Sequence, residues 1–417
     1  MARLVIEGRR KLTGKVRIGG SKNSSVAIIP AALLGEGPST LENVPAILDV
    51  KVFAQILKDL GALVSLNKNT MTVSPNGFTS HIAPYDLVRK LRASYYLMGV
   101  LLAKFGKAEV GLPGGCDIGP RPIDQHLKGF RALGADASVE GGVVRLYASK
   151  LVGAPVYLDI PSVGATINIM LAACMAEGTT LIENAAKEPH VVDLANCLNS
   201  MGARINGAGT DIIRIRGVKT LKGTCHSIIP DDIETATYMM AAVATGGDIE
   251  ICGVITKHLE PVVAKLKEAG ALIEQNGDFI KVVGPERPKP VNVKTLPYPG
   301  FPTDAQQPLT AVLTRARGVS VVQESMYDNR LGYVGELVKM GANIKVQGKT
   351  AVIEGAPRLV GSPVRATDLR AGASLVVAGL SAAGTTEIYG LEIIERGYES
   401  VVDKLKTLGA CIERIED

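Results

Sequence analysis

Six copies of one short pattern constrain the fold of this 417-residue chain more than any other feature. In each copy, a leucine, methionine or alanine followed by Gly-Ala ends a helical pattern, and the copies recur at intervals of roughly 70 residues. They are Leu60-Gly61-Ala62, Leu133-Gly134-Ala135, Met201-Gly202-Ala203, Ala269-Gly270-Ala271, Met340-Gly341-Ala342 and Leu408-Gly409-Ala410. Such a period predicts an internal repeat, so one structural unit should occur six times.

Each copy has the pattern of a β-α-β-α-β-β unit, which is clearest in the second half of the chain. There Pro230-Asp231-Asp232 should cap an apolar helix over 233–245, and a strand over 248–252 follows. An amphipathic helix over 259–269 precedes two strands, 271–275 and 279–283. The first helix of each unit is apolar around most of its circumference, so we expect it to be buried, with the second helix outside. The other first helices should begin at Ser21, Arg92, Ser162, Thr303 and Asp368.

Six units in a chain of this length predict two domains of three units each. We expect one domain over 20–229 and a second formed by 1–19 together with 230–417, with a strand over 4–6 completing a sheet of the second. Two chain crossings, near Gly19-Gly20 and Ile229-Pro230, would form a hinge. That arrangement is typical of an enzyme that closes on its substrate.

Composition excludes several functional classes. A hydrophobic content of 46% with 21% charged residues is ordinary for a globular α/β protein. Neither a membrane span nor a signal peptide is recognisable, which predicts a cytoplasmic protein without membrane insertion. With 4% aromatic residues and no tryptophan, nucleic-acid binding is not expected. No CxxC spacing, GxGxxG or P-loop occurs, so we expect no metal and no cofactor, and the net charge of +5 suits an anionic small molecule.

One loop, over 112–122, combines three glycines and three prolines with a thiol. Gly114 and Gly115 would let the backbone approach a ligand, and Arg121 is near enough in sequence to activate Cys116. The loop alone leaves two interpretations open, a reactive thiol or an incidental cysteine. The second interpretation fits the remaining cysteines, which are Cys174, Cys197, Cys225, Cys252 and Cys411.

Motifs along the whole chain resemble one enzyme family, the UDP-N-acetylglucosamine 1-carboxyvinyltransferases. They are Gly20-Ser21-Lys22-Asn23-Ser24, Leu91-Arg92-Ala93-Ser94, Leu112-Pro113-Gly114-Gly115-Cys116, Gly119-Pro120-Arg121-Pro122-Ile123-Asp124, Ser162-Val163-Gly164-Ala165-Thr166, Phe301-Pro302-Thr303-Asp304, Asp328-Asn329-Arg330, Asp368-Leu369-Arg370-Ala371 and Glu395-Arg396-Gly397-Tyr398. The resemblance implies two inside-out α/β barrel domains, each of three β-α-β-α-β-β repeats, with the active site between them.

The resemblance also implies the reaction. The enolpyruvyl group of phosphoenolpyruvate is transferred to the 3-hydroxyl of UDP-N-acetylglucosamine and phosphate is released, through a tetrahedral ketal. This is the first committed step of peptidoglycan precursor synthesis, it needs no metal or organic cofactor, and fosfomycin inhibits it. The oligomeric state, the paralogue and the resting position of the 112–122 loop stay open.

Residue roles are carried over by the same resemblance. Cys116 is the expected proton donor and site of covalent adducts, and Asp304 is the expected base; from the residues alone, Asp304 is instead a helix N-cap, with Thr303 as competitor. Lys22, Arg121 and Arg396 should bind the phosphate of phosphoenolpyruvate, with Arg330 and Arg370 in the same cationic cluster and Asn23 beside the ketal or sugar. The sugar nucleotide should contact Arg92, Arg121, Pro122, Ile123, Asp124, Gln125, Ser162, Val163, Gly164 and Met326.

Some positions are less certain matches or depart from the family. Met326 could equally belong to a strand core, and His126 and Glu188 stand at positions linked to the site in the family. Some relatives carry lysine where this chain has Ile160-Pro161 and arginine where it has Asp232, so two positive charges near the nucleotide are missing.

Two alternative functions fit the same repeats. The first, 5-enolpyruvylshikimate-3-phosphate synthase, has no counterpart of the Cys116 loop. The second is a catalytically silent regulator, which would be expected to have lost Cys116, Asp304 or one of the arginines.

Overall fold

The computed structural model describes residues 2–112 and 122–416, which divide into two compact units. The central unit comprises residues 20–112 and 122–229, and the terminal unit comprises residues 2–19 and 230–416. Each unit contains three repeats built from a buried helix, an outer helix and a small sheet. No helix among the described residues is long and apolar enough to cross a membrane.

The central unit holds repeats one to three. Repeat one comprises strand Cys225–Ser227, helix Lys22–Ala31 with the 3-10 turn Ala32–Leu34, strand Ser39–Glu42, helix Leu48–Asp59 and strands Leu63–Asn67 and Thr70–Ser74. Repeat two comprises the short helix Tyr85–Val88, the 3-10 helix Arg92–Tyr96, helix Leu97–Phe105, strand Lys107–Gly111, helix Asp124–Ala132 and strands Asp136–Glu140 and Val143–Tyr147. Repeat three comprises strand Pro155–Tyr157, helix Val163–Ala173, strand Thr179–Glu183, helix Pro189–Ser200 and strands Arg204–Asn206 and Ile212–Arg216.

The terminal unit holds repeats four to six. Repeat four comprises strand Thr13–Arg17, helix Asp232–Thr245, strand Asp248–Cys252, the 3-10 helix Thr256–Leu259, helix Glu260–Glu268 and strands Leu272–Asn276 and Phe279–Val283. Repeat five comprises strand Val293–Lys294, the 3-10 turn Thr303–Ala305, helix Gln306–Leu313, strand Val319–Gln323, helix Val334–Lys339 and strands Asn343–Gln347 and Thr350–Glu354. Repeat six comprises strand Pro363–Arg365, helix Leu369–Ser381, strand Thr385–Tyr389, helices Leu391–Ile394 and Val401–Thr407 and strands Cys411–Ile415 and Arg3–Glu7.

The repeated Gly-Ala pattern caps the outer helix of every repeat at its C-terminus. The six glycines have φ between +83° and +104°, the left-handed region that glycine enters without steric cost. The amide of each following alanine donates to the carbonyl five residues earlier, at 2.9–3.1 Å. This is the Schellman arrangement, which satisfies carbonyls that the helix itself leaves unpaired. The sequence period therefore reflects one capping geometry used six times.

The sheets share one topology. The first strand of a repeat pairs in parallel with the second, and the fourth strand pairs antiparallel with both the second and the third. In repeat four, Thr13 pairs with Asp248 in the parallel ladder, and Asp248 pairs with Val283 in the antiparallel one. Within the described part of repeat two, the first strand is reduced to a bridge between Ile82 and Glu109.

Three repeats are completed by a strand from a distant part of the sequence: repeat one in the central unit, and repeats four and six in the terminal unit. Strand Cys225–Ser227 joins the sheet of repeat one, where it pairs with strand Ser39–Glu42. Strand Arg3–Glu7 lies between Thr385–Tyr389 and Cys411–Ile415 in the sheet of repeat six, which confirms the expectation for residues 4–6.

The first helices of the repeats form the interior of each unit. In the terminal unit, helices Asp232–Thr245, Gln306–Leu313 and Leu369–Ser381 pack against one another. Every residue of the last helix from Arg370 to Ser381 is buried, as the apolar pattern predicted. With helices inside and sheets outside, each unit has the predicted inside-out α/β architecture.

Candidate functional site

Polar side chains of the terminal unit gather where its three interior helices begin. Asp231 caps helix Asp232–Thr245 by accepting a hydrogen bond from the amide of Glu234 at 2.7 Å. Asp368 caps helix Leu369–Ser381 by accepting from the amides of Arg370 and Ala371 at 2.9 and 3.1 Å. The third helix follows the 3-10 turn Thr303–Ala305, which has no side-chain cap. These helix starts carry the positive ends of the helix dipoles, where anions are favoured.

Asp304 lies in this turn, and two arginines hold its carboxylate. Arg330 Nη2 is 2.6 Å from Oδ1, and Arg370 approaches Oδ2 with Nε and Nη2, each at 3.1 Å. The arginine side chains are 4% and 3% exposed, whereas that of Asp304 is 29% exposed. The helix-cap interpretation of Asp304 is therefore wrong, because Asp304 lies within the turn, whose N-cap position is Pro302, and its oxygens bind guanidinium groups. The result is an accessible carboxylate backed by two buried cations.

Aromatic rings and an amide fix the two guanidinium groups. The Arg330 group lies 5.6 Å from the ring centroid of Tyr327, and the Arg370 group lies 5.4 Å from that of Tyr398. Gln307, with its amide oriented to satisfy both of its groups, accepts from Arg330 Nε and donates to the carbonyl of Thr303 at 3.0 Å. Within the described residues, the buried Arg370 Nη1 makes no hydrogen bond.

A second carboxyl group near this cluster titrates close to neutrality. Burial, and then the neighbouring Asp231 carboxylate, raise the pKa of Asp232 to about 7. The positive charge of Arg370 lowers this pKa, and the negative charge of Asp304 raises it further. Asp232 is thus charged only in part at neutral pH.

Met326 and Arg396 are the remaining predicted residues of the terminal unit. Met326 is partly buried in the loop after strand Val319–Gln323, so the strand-core interpretation is wrong. Its amide donates to Glu324 Oε1 at 2.7 Å. Arg396 is partly buried and follows helix Leu391–Ile394, two residues before Tyr398.

In the central unit, Lys22 opens the first interior helix against a buried carboxylate. Ser21 caps that helix by accepting from the amide of Ser24 at 3.3 Å. Lys22 Nζ lies 3.2 Å from Asp49 Oδ2, and the two side chains are 16% and 4% exposed. Asn23 follows and is partly buried. The ion pair fixes where the ammonium group of Lys22 lies.

A neutral histidine lies among the other predicted residues of the central unit. His126 Nδ1 is 2.9 Å from Asn168 Nδ2, and the Asn168 amide also donates to the carbonyl of Tyr95 and accepts from the amide of Gly99. Because Asn168 Nδ2 is a donor, Nδ1 of the ring accepts and the proton belongs on Nε2. Burial, and then the charge of Arg92, lower the pKa of His126 to about 3.

The His126 ring contacts the start of helix Val163–Ala173. A Cβ atom on Gly164 would lie 2.8 Å from His126 Cε1 and 2.9 Å from Nε2. Ser162 caps the helix by accepting from the amide of Ala165 at 3.3 Å.

Gln125 ties its own segment to the residues before this helix. Its Nε2 donates to Asp159 Oδ2 at 2.9 Å, and its Oε1 accepts from the amide of Asp159 at 3.0 Å. Together with the His126 contacts, these bonds bring three predicted segments into one region: Arg92, residues 122–125 and residues 162–164. Pro122 and Asp124 are exposed there, whereas Gln125 is buried.

Cys116 and Arg121 lie outside the described residues, and Glu188 directly precedes helix Pro189–Ser200. Burial raises the pKa of Cys174 and, together with Asp193, that of Cys197 to about 12, while Cys225 is exposed. Among residues 2–112 and 122–416, no group of three His, Cys, Asp or Glu side chains could hold a metal ion.

Sequence reasoning missed several residues that organise these groups. Asp49 and Glu324 carry no local signal, because their partners are distant in sequence. Asn168 does carry one, since it is a polar residue within an apolar, fully buried helix.

Comparisons with known proteins agree on one family. Residues 6–405 match the family model described as EPSP synthase (3-phosphoshikimate 1-carboxyvinyltransferase). UDP-N-acetylglucosamine 1-carboxyvinyltransferase 3 of Caldanaerobacter subterraneus subsp. tengcongensis is 53% identical over 417 residues, 100% of both chains. UDP-N-acetylglucosamine 1-carboxyvinyltransferase 2 of Bacillus anthracis is 55% identical over 415 residues, 99% of this chain and 97% of the relative. The crystal structure of the enolpyruvyl transferase NikO from Streptomyces tendae matches with a TM-score of 0.90 at 27% identity, covering 99% of each chain.

Proposed function

The chain belongs to the EPSP synthase family, in its group of UDP-N-acetylglucosamine 1-carboxyvinyltransferases, and from this we propose its reaction. It transfers the enolpyruvyl group of phosphoenolpyruvate to the 3-hydroxyl of UDP-N-acetylglucosamine and releases phosphate. The observation that carries this proposal is full-length identity of 53% and 55% to relatives bearing that name. The same relatives favour this reaction over that of EPSP synthase. In a bacterium it would be the first committed step of peptidoglycan precursor synthesis.

Addition and elimination through a tetrahedral ketal require an acid and a base. The sugar hydroxyl attacks C2 of phosphoenolpyruvate and loses its proton while C3 gains one; C3 then loses a proton as phosphate leaves. Asp304 suits the base, because its carboxylate is accessible and its two oxygens are held by Arg330 and Arg370. We assign the proton donated to C3 to Cys116, which is also the group that fosfomycin would alkylate.

The phosphate and carboxylate of phosphoenolpyruvate need several cations. Lys22, Arg121 and Arg396 are proposed to bind them, with Arg330 and Arg370 in the same cationic cluster. Placed before the reaction, such donors stabilise the charge that moves onto the departing phosphate.

The sugar nucleotide is proposed to bind the segments around His126. The N-terminus of helix Val163–Ala173 suits the diphosphate, and Arg92 adds a positive charge in the same region. Pro122 to Gln125 and Met326 are proposed to contact the nucleotide, and Asn23 the sugar or the ketal. We also propose that the enzyme acts in the bacterial cytoplasm; its oligomeric state is left open.

The decisive experiment measures phosphate release from phosphoenolpyruvate with and without UDP-N-acetylglucosamine, before and after incubation with fosfomycin. We expect sugar-dependent turnover that disappears as one adduct forms on Cys116, identified by peptide mass. Absence of turnover would favour a catalytically silent protein. Turnover with shikimate 3-phosphate in place of the sugar nucleotide would favour EPSP synthase.

Two variants of the thiol test its role as an acid. Cys116→Asp should keep turnover and resist fosfomycin, because a carboxylic acid still donates a proton but is not alkylated in the same way. Cys116→Ser should be nearly inactive, because a hydroxyl is a far weaker acid. An active serine variant would remove the acid role from Cys116.

A further inference from the structure

Glu324 is a buried carboxylate with an unusual set of partners. Its residue is 1% exposed, and its two oxygens accept four hydrogen bonds from hydroxyl and backbone amide groups. Burying a carboxylate costs free energy unless its oxygens accept hydrogen bonds. Hydrogen bonds to a carboxylate are charge-assisted, and they are stronger than bonds between neutral groups. Glu324 directly follows strand Val319–Gln323, so the position of its backbone is fixed by the sheet.

The four bonds join three separate segments. Oε1 accepts from Thr295 Oγ1 at 3.0 Å and from the amides of Met326 and Tyr327 at 2.7 and 3.2 Å. Oε2 accepts from Thr303 Oγ1 at 2.8 Å. Thr303 immediately precedes Asp304 in the chain, and the ring of Tyr327 lies against the Arg330 guanidinium.

Asp304 is held from two directions by a closed set of contacts. On one side, its backbone neighbour Thr303 is bound through the hydroxyl to Glu324 and through the carbonyl to Gln307. On the other side, Gln307 accepts from Arg330, which binds the Asp304 carboxylate. The turn Thr303–Ala305 itself has no side-chain cap.

We propose that Glu324 is a positioning residue, which acts through the Thr303 hydroxyl to set where the Asp304 carboxylate lies relative to the sugar hydroxyl. This inference rests on the proposed function, in which Asp304 is the base. Proton transfer depends steeply on geometry, and a misplacement of about 1 Å can cost on the order of 100-fold in rate. Loss of the Thr303 contact should therefore lower kcat more than it changes binding.

The Thr303 hydroxyl is the best point for a test, because truncating Glu324 would leave two backbone amides unpaired and endanger folding. Thr303→Val removes the hydroxyl at nearly constant shape, and Thr303→Ser keeps it. We expect Thr303→Val to lower kcat about 10- to 100-fold, with KM for both substrates changed less than about threefold. Thr303→Ser should retain kcat within about threefold, and circular dichroism should confirm that both variants are folded at the assay temperature.

Equal losses of kcat in the two variants, or a wild-type kcat in Thr303→Val, would overturn the inference. A double-mutant cycle with Asp304→Asn adds a second criterion. If Thr303 acts through Asp304, Thr303→Val should change the residual activity of Asp304→Asn by less than about twofold. The same loss in both backgrounds would assign Thr303 a separate role. Wild-type protein without sugar-dependent phosphate release would instead refute the proposed function itself.

Discussion

Replacing Asp304 by asparagine tests both the cluster and its proposed role, because it removes one charge and keeps the shape. The wild-type carboxylate accepts from Arg330 Nη2 at 2.6 Å and from Arg370 Nε and Nη2 at 3.1 Å. An asparagine can offer its oxygen to only one of the two arginines, and its NH₂ group then faces the other. One buried guanidinium therefore loses the acceptor that Asp304 provides.

The magnitude follows from this geometry. Hydrogen bonds to charged groups contribute about 1.5–3 kcal/mol each, and leaving a buried charge without its partner costs at least as much. The Asp304 side chain is 29% exposed, so water compensates part of the loss. We expect the free energy of unfolding to fall by about 2 kcal/mol. Turnover should fall at least about 100-fold, the lower end for removal of a general base.

Urea unfolding followed by circular dichroism measures the first effect, and phosphate release measures the second. Asp248→Asn is the matched control in the same unit, because its pair with Lys281, at 3.5 Å, is about half exposed. That variant should change stability by less than about 0.5 kcal/mol and leave turnover unchanged. Wild-type turnover in Asp304→Asn would reject the base, and equal unfolding curves for both variants would reject the buried pairing.

Two further predictions concern Asp232 and Gly164. Because the pKa of Asp232 is about 7 in the folded protein and near 4 when unfolded, the native state binds the extra proton between these values, and stability falls as pH rises. In the wild-type protein this group lowers the free energy of unfolding by up to about 1.4 kcal/mol per pH unit, and Asp232→Asn should remove that contribution. If the free energy of unfolding of the two proteins shows the same pH dependence from pH 4 to 8, the prediction is wrong. Gly164→Ala should cost about 1–3 kcal/mol and raise KM for the sugar nucleotide, because its Cβ meets the His126 ring at 2.8 Å. Gly335→Ala is the control and should change neither stability nor KM, because a Cβ atom there has no neighbour within 4 Å. If the two alanine variants have the same stability and KM, the His126 ring moves aside at no cost and the prediction is wrong.

The fold was predictable because its repeat depends on local chemistry. A left-handed residue must end each outer helix, and glycine fills that position six times, so the repeat is visible without any knowledge of contacts. Helix starts at Ser21, Ser162 and Asp368 were recognisable for the same reason, since each side chain caps its own helix. In repeat four, the predicted bounds of strands 248–252 and 279–283 are confirmed.

The candidate site was less predictable, because its side chains bind partners far away in sequence. Asp304 at a helix start has the pattern of a cap, and only the approach of Arg330 and Arg370 shows that it pairs with cations. Glu324 and Asn168 act through residues from other segments, which no periodicity reveals. The roles of Cys116, Lys22, Arg121 and Arg396 stay predictions of the family resemblance.

Because of the strands that complete repeats one and six, the sheets of the two units become complete at different stages of synthesis. The central unit lies within residues 20–229, and all of its described strands have been made once Cys225–Ser227 has left the ribosome. Strand Arg3–Glu7 is made well before its partners Thr385–Tyr389 and Cys411–Ile415, which lie far later in the sequence. A nascent chain would therefore carry an unpaired strand edge, a template for aggregation, through most of translation. The charged residues at its two ends, Arg3 and Glu7, reduce the risk of aggregation. The order of the strands in the chain nevertheless leaves this segment unpaired until its partners have been made.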